Sequence, residues 1–265
     1  MYCDLNVPAD GATGAQQSFF LLEMARLGYG CMALNVENDG TKPPRAPESL
    51  APWSLESGRK TKTQLHGLRI GGENPPPAVR QLKRITLQCD DMNAAHAINS
   101  NPVIRAYDIV AVEPTSTRLF QFFCEQGDVD IITLDVSSRL SFQLRKPLVD
   151  AAIARGIYFE LKYTAALGDS SGRRYFFANA SSLIRITRGR HIVFGSGAAR
   201  DMLLRSPYDV INIGMLLGLP YGKAMDAVSS SCAAVIAHGE VRKVKGSHVV
   251  IMRDATDGDD DVDMA

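Results

Sequence analysis

Histidine, tryptophan and cysteine are scarce in this 265-residue sequence, and neither sign of charge is in excess. The five cysteines (Cys3, Cys31, Cys89, Cys124 and Cys232) are widely spread, odd in number and form no C-x-x-C pair. That pattern argues against a zinc ribbon or a disulfide framework and fits a reducing compartment. No apolar run reaches the roughly 18 residues needed to cross a bilayer, so no membrane partner is expected. No basic stretch followed by an apolar core opens the chain, so no secretory signal is expected. The five histidines (His66, His96, His191, His238 and His248) fall in unrelated segments. A phosphoesterase centre that holds zinc or manganese on imidazole is therefore poorly supplied.

The neutral total hides an asymmetry. Between Arg139 and Arg205 there are twelve Lys or Arg against four Asp or Glu, whereas Asp254 to Asp263 carries six Asp and no base. A basic surface for an acidic partner is one reading, and solvated helix faces are the other. The acidic end, 251–265, reads as a disordered tail.

Short strands are expected at 2–7, 30–36, 84–89, 109–113, 131–135, 157–162 and 191–196. Helices are expected between most of them. Gln16 to Leu27 places Phe20, Leu21, Met24 and Leu27 at helical spacing and ends at Gly28. Pro147 suits a first helical position, and Gly156 a terminus. Repeated strand–helix units imply a parallel sheet, here an α/β, TIM-like (β/α) barrel of about seven strands filling 1–250 as one domain. Residues 38–80 break the rhythm with seven of the thirteen prolines and the single Trp53. They read mainly as an extended surface insertion, of which Thr41 to Thr61 should be replaceable by a short linker, with room for one short strand at Gln64–Gly71. Near the C-terminus, Ser206 can cap a helix that Pro207 opens, with Asp209 three residues after the cap. A second helix is expected from about Tyr221 to Ala237, stopping near Gly239.

Strand alternation assigns faces. In the first strand Asp4 and Asn6 share one face, and Cys3, Leu5 and Val7 the other. In IYFELK, Ile157, Phe159 and Leu161 pack under helices while Tyr158, Glu160 and Lys162 point inward. The same logic gathers Asp4, Asn6, Gln88, Glu113, Asp135 and Glu160 at the barrel mouth, with Lys162 as the nearest cation. Carboxylates alone can hold a hard ion such as magnesium. A network of mutually paired polar groups is the alternative, and the missing imidazoles favour it.

The second half of the chain carries an ordered series: FELKYTAAL (Phe159–Leu167), the pair Arg173–Arg174, ITRGRHIVFGSGAA (Ile186–Ala199) and RSPYDVINIGMLLGL (Arg205–Leu219). That series resembles the thirty-kilodalton protein subunit of ribonuclease P, shared with ribonuclease MRP in eukaryotes. DLNVP (Asp4–Pro8) is similar to that family's first strand. The resemblance implies a seven-stranded barrel related to the polymerase-and-histidinol-phosphatase metallohydrolases. It also implies a non-catalytic role, because the RNA carries the active site. No catalytic residue, cofactor or metal is then expected. An Asp-x-His-x-His metal motif would need histidines where Asn6 and Pro8 stand, as suits a barrel kept as a scaffold.

The family's motif positions fall on Glu160, Tyr163, Arg174, Arg188, Gly189, Ser196, Arg205, Pro207 and Asp209. Asp4 and Lys162 join them as structural candidates. RNA contact is expected from Arg173, Arg174, Arg188, Arg190, Arg200 and Arg205. Gly189 reads as a turn, and Asp209 as a group that satisfies the helix start rather than a ligand. Tyr175, Phe176 and Phe177 either stack on bases or form a helix's core face. The implied partners are ribonuclease P RNA, ribonuclease MRP RNA, precursor tRNA indirectly, and a small ferredoxin-like subunit among other holoenzyme proteins. The implied location is the nucleus and nucleolus. A metal-dependent phosphoesterase of the same barrel superfamily is the alternative function.

Overall fold

The computed structural model describes residues 1–55 and 78–246. Seven strands, β1 (Tyr2–Pro8), β2 (Tyr29–Asn38), β3 (Arg80–Cys89), β4 (Ile109–Pro114), β5 (Ile131–Thr133), β6 (Tyr158–Lys162) and β7 (Ile192–Gly195), lie in chain order, each parallel to the next. Their connections contain α1 (Gly14–Leu27), α2 (Met92–Ser100), α3 (Pro102–Arg105), α4 (Thr117–Glu125), α5 (Lys146–Ala154) and α6 (Ser170–Thr187). After β7 come α7 (Pro207–Leu216), α8 (Tyr221–Asp226) and α9 (Ser230–Gly246). This is the expected TIM-like α/β barrel, nearly closed. Where β7 meets β1 the join is made by the bond from Gly197 N–H to Asn6 O at 2.8 Å and by the side chains of Asp4 and Ser196.

Three apolar clusters follow from the strand period. Ile157, Phe159 and Leu161 pack outward against helices α4 to α7, as alternation requires. Val7, Met32 and Leu34 pack under α1 with Phe20 and Met24. Cys3, Leu5, Cys31, Ala33, Leu82, Ile109, Ile131 and Val193 fill the lumen floor, closed by Cys232, Val235 and Ile236 of α9.

Alternation fails in β1. Cys3 and Leu5 belong to the lumen floor and Val7 to the cluster under α1, so the three do not share a face. The cause is an irregularity between Asp4 and Val7. Asp4 pairs with Met32 and Val7 with Leu34, so three steps on β1 match two on β2. Asp4 therefore lies opposite Met32 at the β1–β7 seam, while Asn6 turns to the lumen.

Two further expectations are corrected. The helix expected from Tyr221 to Ala237 is split, with α8 ending at Asp226 and α9 starting at Ser230. Nor does α9 stop at Gly239: it runs through it, and the missing Cβ lets it pass close to the Asp108 carbonyl oxygen, which a Cβ would overlap. That glycine lets the helix press onto the barrel floor. The latch beside it is polar and buried: Asp130 accepts from Val110 N–H (2.8 Å), His238 Nδ1 (2.7 Å) and Arg242 Nε (3.1 Å).

The proline-rich segment is not wholly a surface insertion. Trp53 is 5% exposed, meets Phe20 edge-to-face at 5.7 Å, and shares a cluster with Leu50 and Met24. The Gln81 carboxamide accepts from Trp53 N–H and donates to Trp53 O, both at 2.8 Å. A large ring outweighs the local proline signal because burying it is worth several kilocalories per mole. The strand expected at Gln64–Gly71 and the tail at 251–265 lie outside the described residues.

Candidate functional site

Barrel enzymes of this architecture work at the end where the strands finish. Here that end is plugged one layer down. Arg84 on β3 and Glu160 on β6, both fully buried, meet in a two-pronged pair: Nη1 to Oε1 at 2.5 Å and Nη2 to Oε2 at 2.7 Å. Arg84 also donates to Leu5 O (2.7 Å) and Thr86 Oγ1 (3.1 Å). Asn6 Nδ2 donates to Glu160 Oε2 (3.0 Å), Asn35 Nδ2 to Asn6 Oδ1 (3.0 Å), and Thr86 Oγ1 to Asn35 Oδ1 (2.8 Å). Burial opposes ionisation of Glu160, but the Arg84 charge and hydrogen bonds, with Lys162 nearby, outweigh it and hold the carboxyl below its usual range. Planar, two-pronged pairing is what guanidinium does best.

Above this layer lies a mouth cavity of about 580 Å3, lined by Glu37, Arg45, Gln88, Glu113 and Lys162 among others. Lys162 Nζ pairs with Glu113 at 3.2 Å. Burial opposes its charge, but Glu113 and Glu160 more than compensate and raise its pKa. The six polar residues assigned to the mouth are thus divided among different depths. Gln88 and Glu113 line it. Asn6 and Glu160 lie in the buried layer. Asp4 sits at the seam. Asp135 falls beyond β5, where it accepts from Ser137 N–H (3.0 Å) and from the hydroxyls of Ser137 (2.5 Å) and Ser138 (2.6 Å). Among the described residues, no three His, Cys, Asp or Glu side chains are placed to share a metal ion.

Arg84, Asn35 and Thr86 complete the network, and the sequence reading passed over them. The signal was present: the period that points Gln88 inward also points Thr86 and Arg84 inward.

The other motif residues are mostly architectural. Tyr163 Oη accepts from Arg205 N–H (3.1 Å), and Tyr29 Oη donates to Arg205 O (3.0 Å). Ser206, Pro207 and Asp209 form the expected helix start. Asp209 N–H donates to Ser206 Oγ (3.2 Å), and Asp209 Oδ2 accepts from Ser206 N–H (3.3 Å). Gly189 takes φ +66°, directly after Arg188 at φ 57°.

The six arginines do not share one patch. Helix α6 returns antiparallel to the strands, so Arg173 and Arg188 lie about 22 Å apart along its axis, at 1.5 Å per residue. Arg173 is used on Ala166 O (3.0 Å) and Gly168 O (3.5 Å), and Arg205 on Met202 O (3.0 Å) and Leu204 O (2.8 Å). Arg190 reaches Asp150 at 3.7 Å. Arg174, Arg188 and Arg200 are exposed. Of the aromatic trio, Phe176 is buried, Phe177 half-buried and Tyr175 exposed, so the group is chiefly a core face.

A model of the family described as RNase P subunit p30 matches residues 1–244. Ribonuclease P protein subunit p30 of Mus musculus is 40% identical over 177 residues, covering 66% of this chain and 65% of the mouse protein. Protein GAMETOPHYTE DEFECTIVE 1 of Arabidopsis thaliana is 41% identical over 175 residues, 66% of this chain and 30% of that protein. The chain thus spans less than two thirds of either relative. In a cryo-EM structure of archaeal Ribonuclease P with mature tRNA, one chain superposes with a TM-score of 0.66. The match covers 96% of this chain and 100% of that one, at 13% identity, a likeness of fold. Matched by the family model over nearly its whole described length, the chain belongs to the RNase P subunit p30 family.

Proposed function

We propose that this chain is a non-catalytic, RNA-binding protein subunit of ribonuclease P, acting in 5′ maturation of precursor tRNA, and of ribonuclease MRP, acting in rRNA processing. It stabilises the catalytic RNA and docks other subunits, a small ferredoxin-like protein among them, in the nucleus and nucleolus. Besides family membership, the observation that carries this reading is the Arg84–Glu160 pair. The carboxylate best placed for chemistry in the barrel is fully buried and bound to a guanidinium on both oxygens. A carboxylate so held neither binds an incoming ion nor moves a proton near neutral pH. Exposed arginines outside the lumen, Arg174, Arg188 and Arg200 among them, are left for phosphate.

The test is a gentle pull-down of the full chain, with mass spectrometry of the proteins and sequencing of the RNA. Enrichment of ribonuclease P RNA and ribonuclease MRP RNA with other subunits is expected. The alternative, a metal-dependent phosphoesterase, requires the purified chain to hydrolyse phosphate esters with added zinc or manganese. Loss of that activity in Asp4→Ala would overturn the proposal.

A further inference from the structure

Beside the mouth, the segment between β5 and α5 and the start of α4 line an open hollow of about 420 Å3. Its lining includes Thr117, Arg139, Ser141, Phe142, Gln143 and Arg145. No carboxylate contributes to that lining. Arg139 and Arg145 are both exposed, and neither guanidinium makes an ion pair or hydrogen bond among the described residues. An unpaired pair of guanidinium groups at a cavity free of acids is a site for an anion, and phosphate is the anion that their fork geometry fits.

The segment is held in place. Asp135 fastens Ser137 and Ser138, the Asn179 carboxamide donates to Ser138 O at 2.8 Å, and the Ser141 hydroxyl donates to Thr115 O at 2.8 Å. The arginines are therefore displayed from fixed backbone, which lowers the ordering cost of binding. Stacking a base on an aromatic side chain needs an available ring. Phe142 is buried against Phe120, with ring centres 5.1 Å apart, and offers none. Two guanidinium groups with no available aromatic ring suit a backbone phosphate better than a stacked base.

We propose that this cavity is a phosphate pocket for the RNA backbone, with Arg139 and Arg145 as its cationic walls. It rests on the RNA-binding reading above and adds a site outside the six arginines the sequence singled out. The test uses the full chain and transcribed ribonuclease P RNA, with affinity measured across a salt series. Arg139→Gln with Arg145→Gln should weaken binding about tenfold near 0.1 M salt and lower the slope of log affinity against log salt by about one. Both side chains are exposed, so the thermal midpoint should not move. Arg139→Lys with Arg145→Lys should keep much of the slope and recover only part of the affinity, since lysine keeps the charge and loses the fork. The charge control is Arg118→Gln with Arg185→Gln, two exposed arginines that do not line the cavity.

An equal loss in that control would reduce the effect to diffuse charge and overturn the pocket. Unchanged RNA affinity in the Arg139/Arg145 glutamine variant, while the parent binds RNA, would overturn the pocket and leave the wider reading standing. A parent that binds no RNA would overturn both. Saturable binding of inorganic phosphate by the parent, lost in the glutamine variant whose RNA affinity is intact, would assign the cavity to a free phosphoryl compound instead.

Discussion

Asp4 Oδ1 accepts the backbone N–H of Ser196 at 3.0 Å, so a carboxylate joins the first strand to the last where a ladder bond would otherwise run. The same oxygen accepts from Asn6 N–H at 3.0 Å, and the Ser196 hydroxyl returns a bond to Asn6 O at 3.0 Å. Asp4 Oδ2 has no partner among the described residues and is buried. Burial, with the Glu160 charge adding to it, pushes the Asp4 carboxyl up to about 6 against the pull of the Ser196 and Asn6 hydrogen bonds.

A pH dependence follows. The folded chain holds the Asp4 proton up to about pH 6, whereas the unfolded chain releases it near 3.8. Between these values folding binds a proton, so this group's contribution to stability falls as pH rises and is flat above about 6. Asp4→Asn keeps the shape and removes the titration. From about pH 4 to pH 7 the parent should lose on the order of 2–3 kcal/mol relative to Asp4→Asn. Denaturant unfolding of both proteins across that range measures it. A difference independent of pH would mean that the carboxyl titrates normally.

The Arg84–Glu160 pair should behave as a unit. Arg84→Met strands a buried carboxylate, and Glu160→Leu strands a buried guanidinium. Each should cost about 3–5 kcal/mol. Arg84→Met with Glu160→Leu removes both charges and should be markedly more stable than the two single losses added together, by about 2 kcal/mol or more. Strict additivity in that double-mutant cycle would show that the groups act independently.

Much of the barrel was legible because it rests on period. Seven strands and the helices between them follow from apolar spacing, and the Ser206–Asp209 box from side-chain chemistry. The parts that escaped are set by tertiary partners. Asp4 left its assigned face because β1 inserts a residue against β2, a shift that no single-strand pattern carries. The strand period points Arg84 inward, but nothing in one strand says that a charge buried there will find Glu160 on another. The arginines were grouped by nearness in sequence, but Arg173 lies in the first turn of α6 and Arg188 just past its last, so the length of the helix keeps them apart in space.

Trp53 distinguishes a dispensable insertion from a structural one. Its ring packs edge-to-face on Phe20 of α1. Trp53→Ala should destabilise the chain by about 3–5 kcal/mol, with a cavity left beside α1. Gln81→Ala, which loses both backbone bonds to Trp53, should cost about 1–3 kcal/mol. An unchanged midpoint in Trp53→Ala would return the segment to the surface, where loop length carries little free energy, about 0.6 kcal/mol per doubling.

Gly239 tests the closure of the barrel floor. In an exposed helix, glycine to alanine gains about 1 kcal/mol, because alanine loses less backbone freedom on folding. Here the new Cβ would run into the Asp108 carbonyl oxygen, which is backbone and cannot swing aside. Helix α9 would have to lift. Lifting it strains the bonds from His238 and Arg242 to Asp130 and draws Cys232, Val235 and Ile236 out of the lumen floor. Gly239→Ala should therefore destabilise the chain by about 1–3 kcal/mol, opposite in sign to the helix propensity. Thermal unfolding gives the sign, and hydrogen exchange should show lost protection along α9 before the strands. Gly222→Ala is the control: it lies in α8 with no atom within 4 Å of its added Cβ and should be neutral or mildly stabilising. If both substitutions stabilise the chain, α9 does not press on the floor as closely as the Asp108 contact requires.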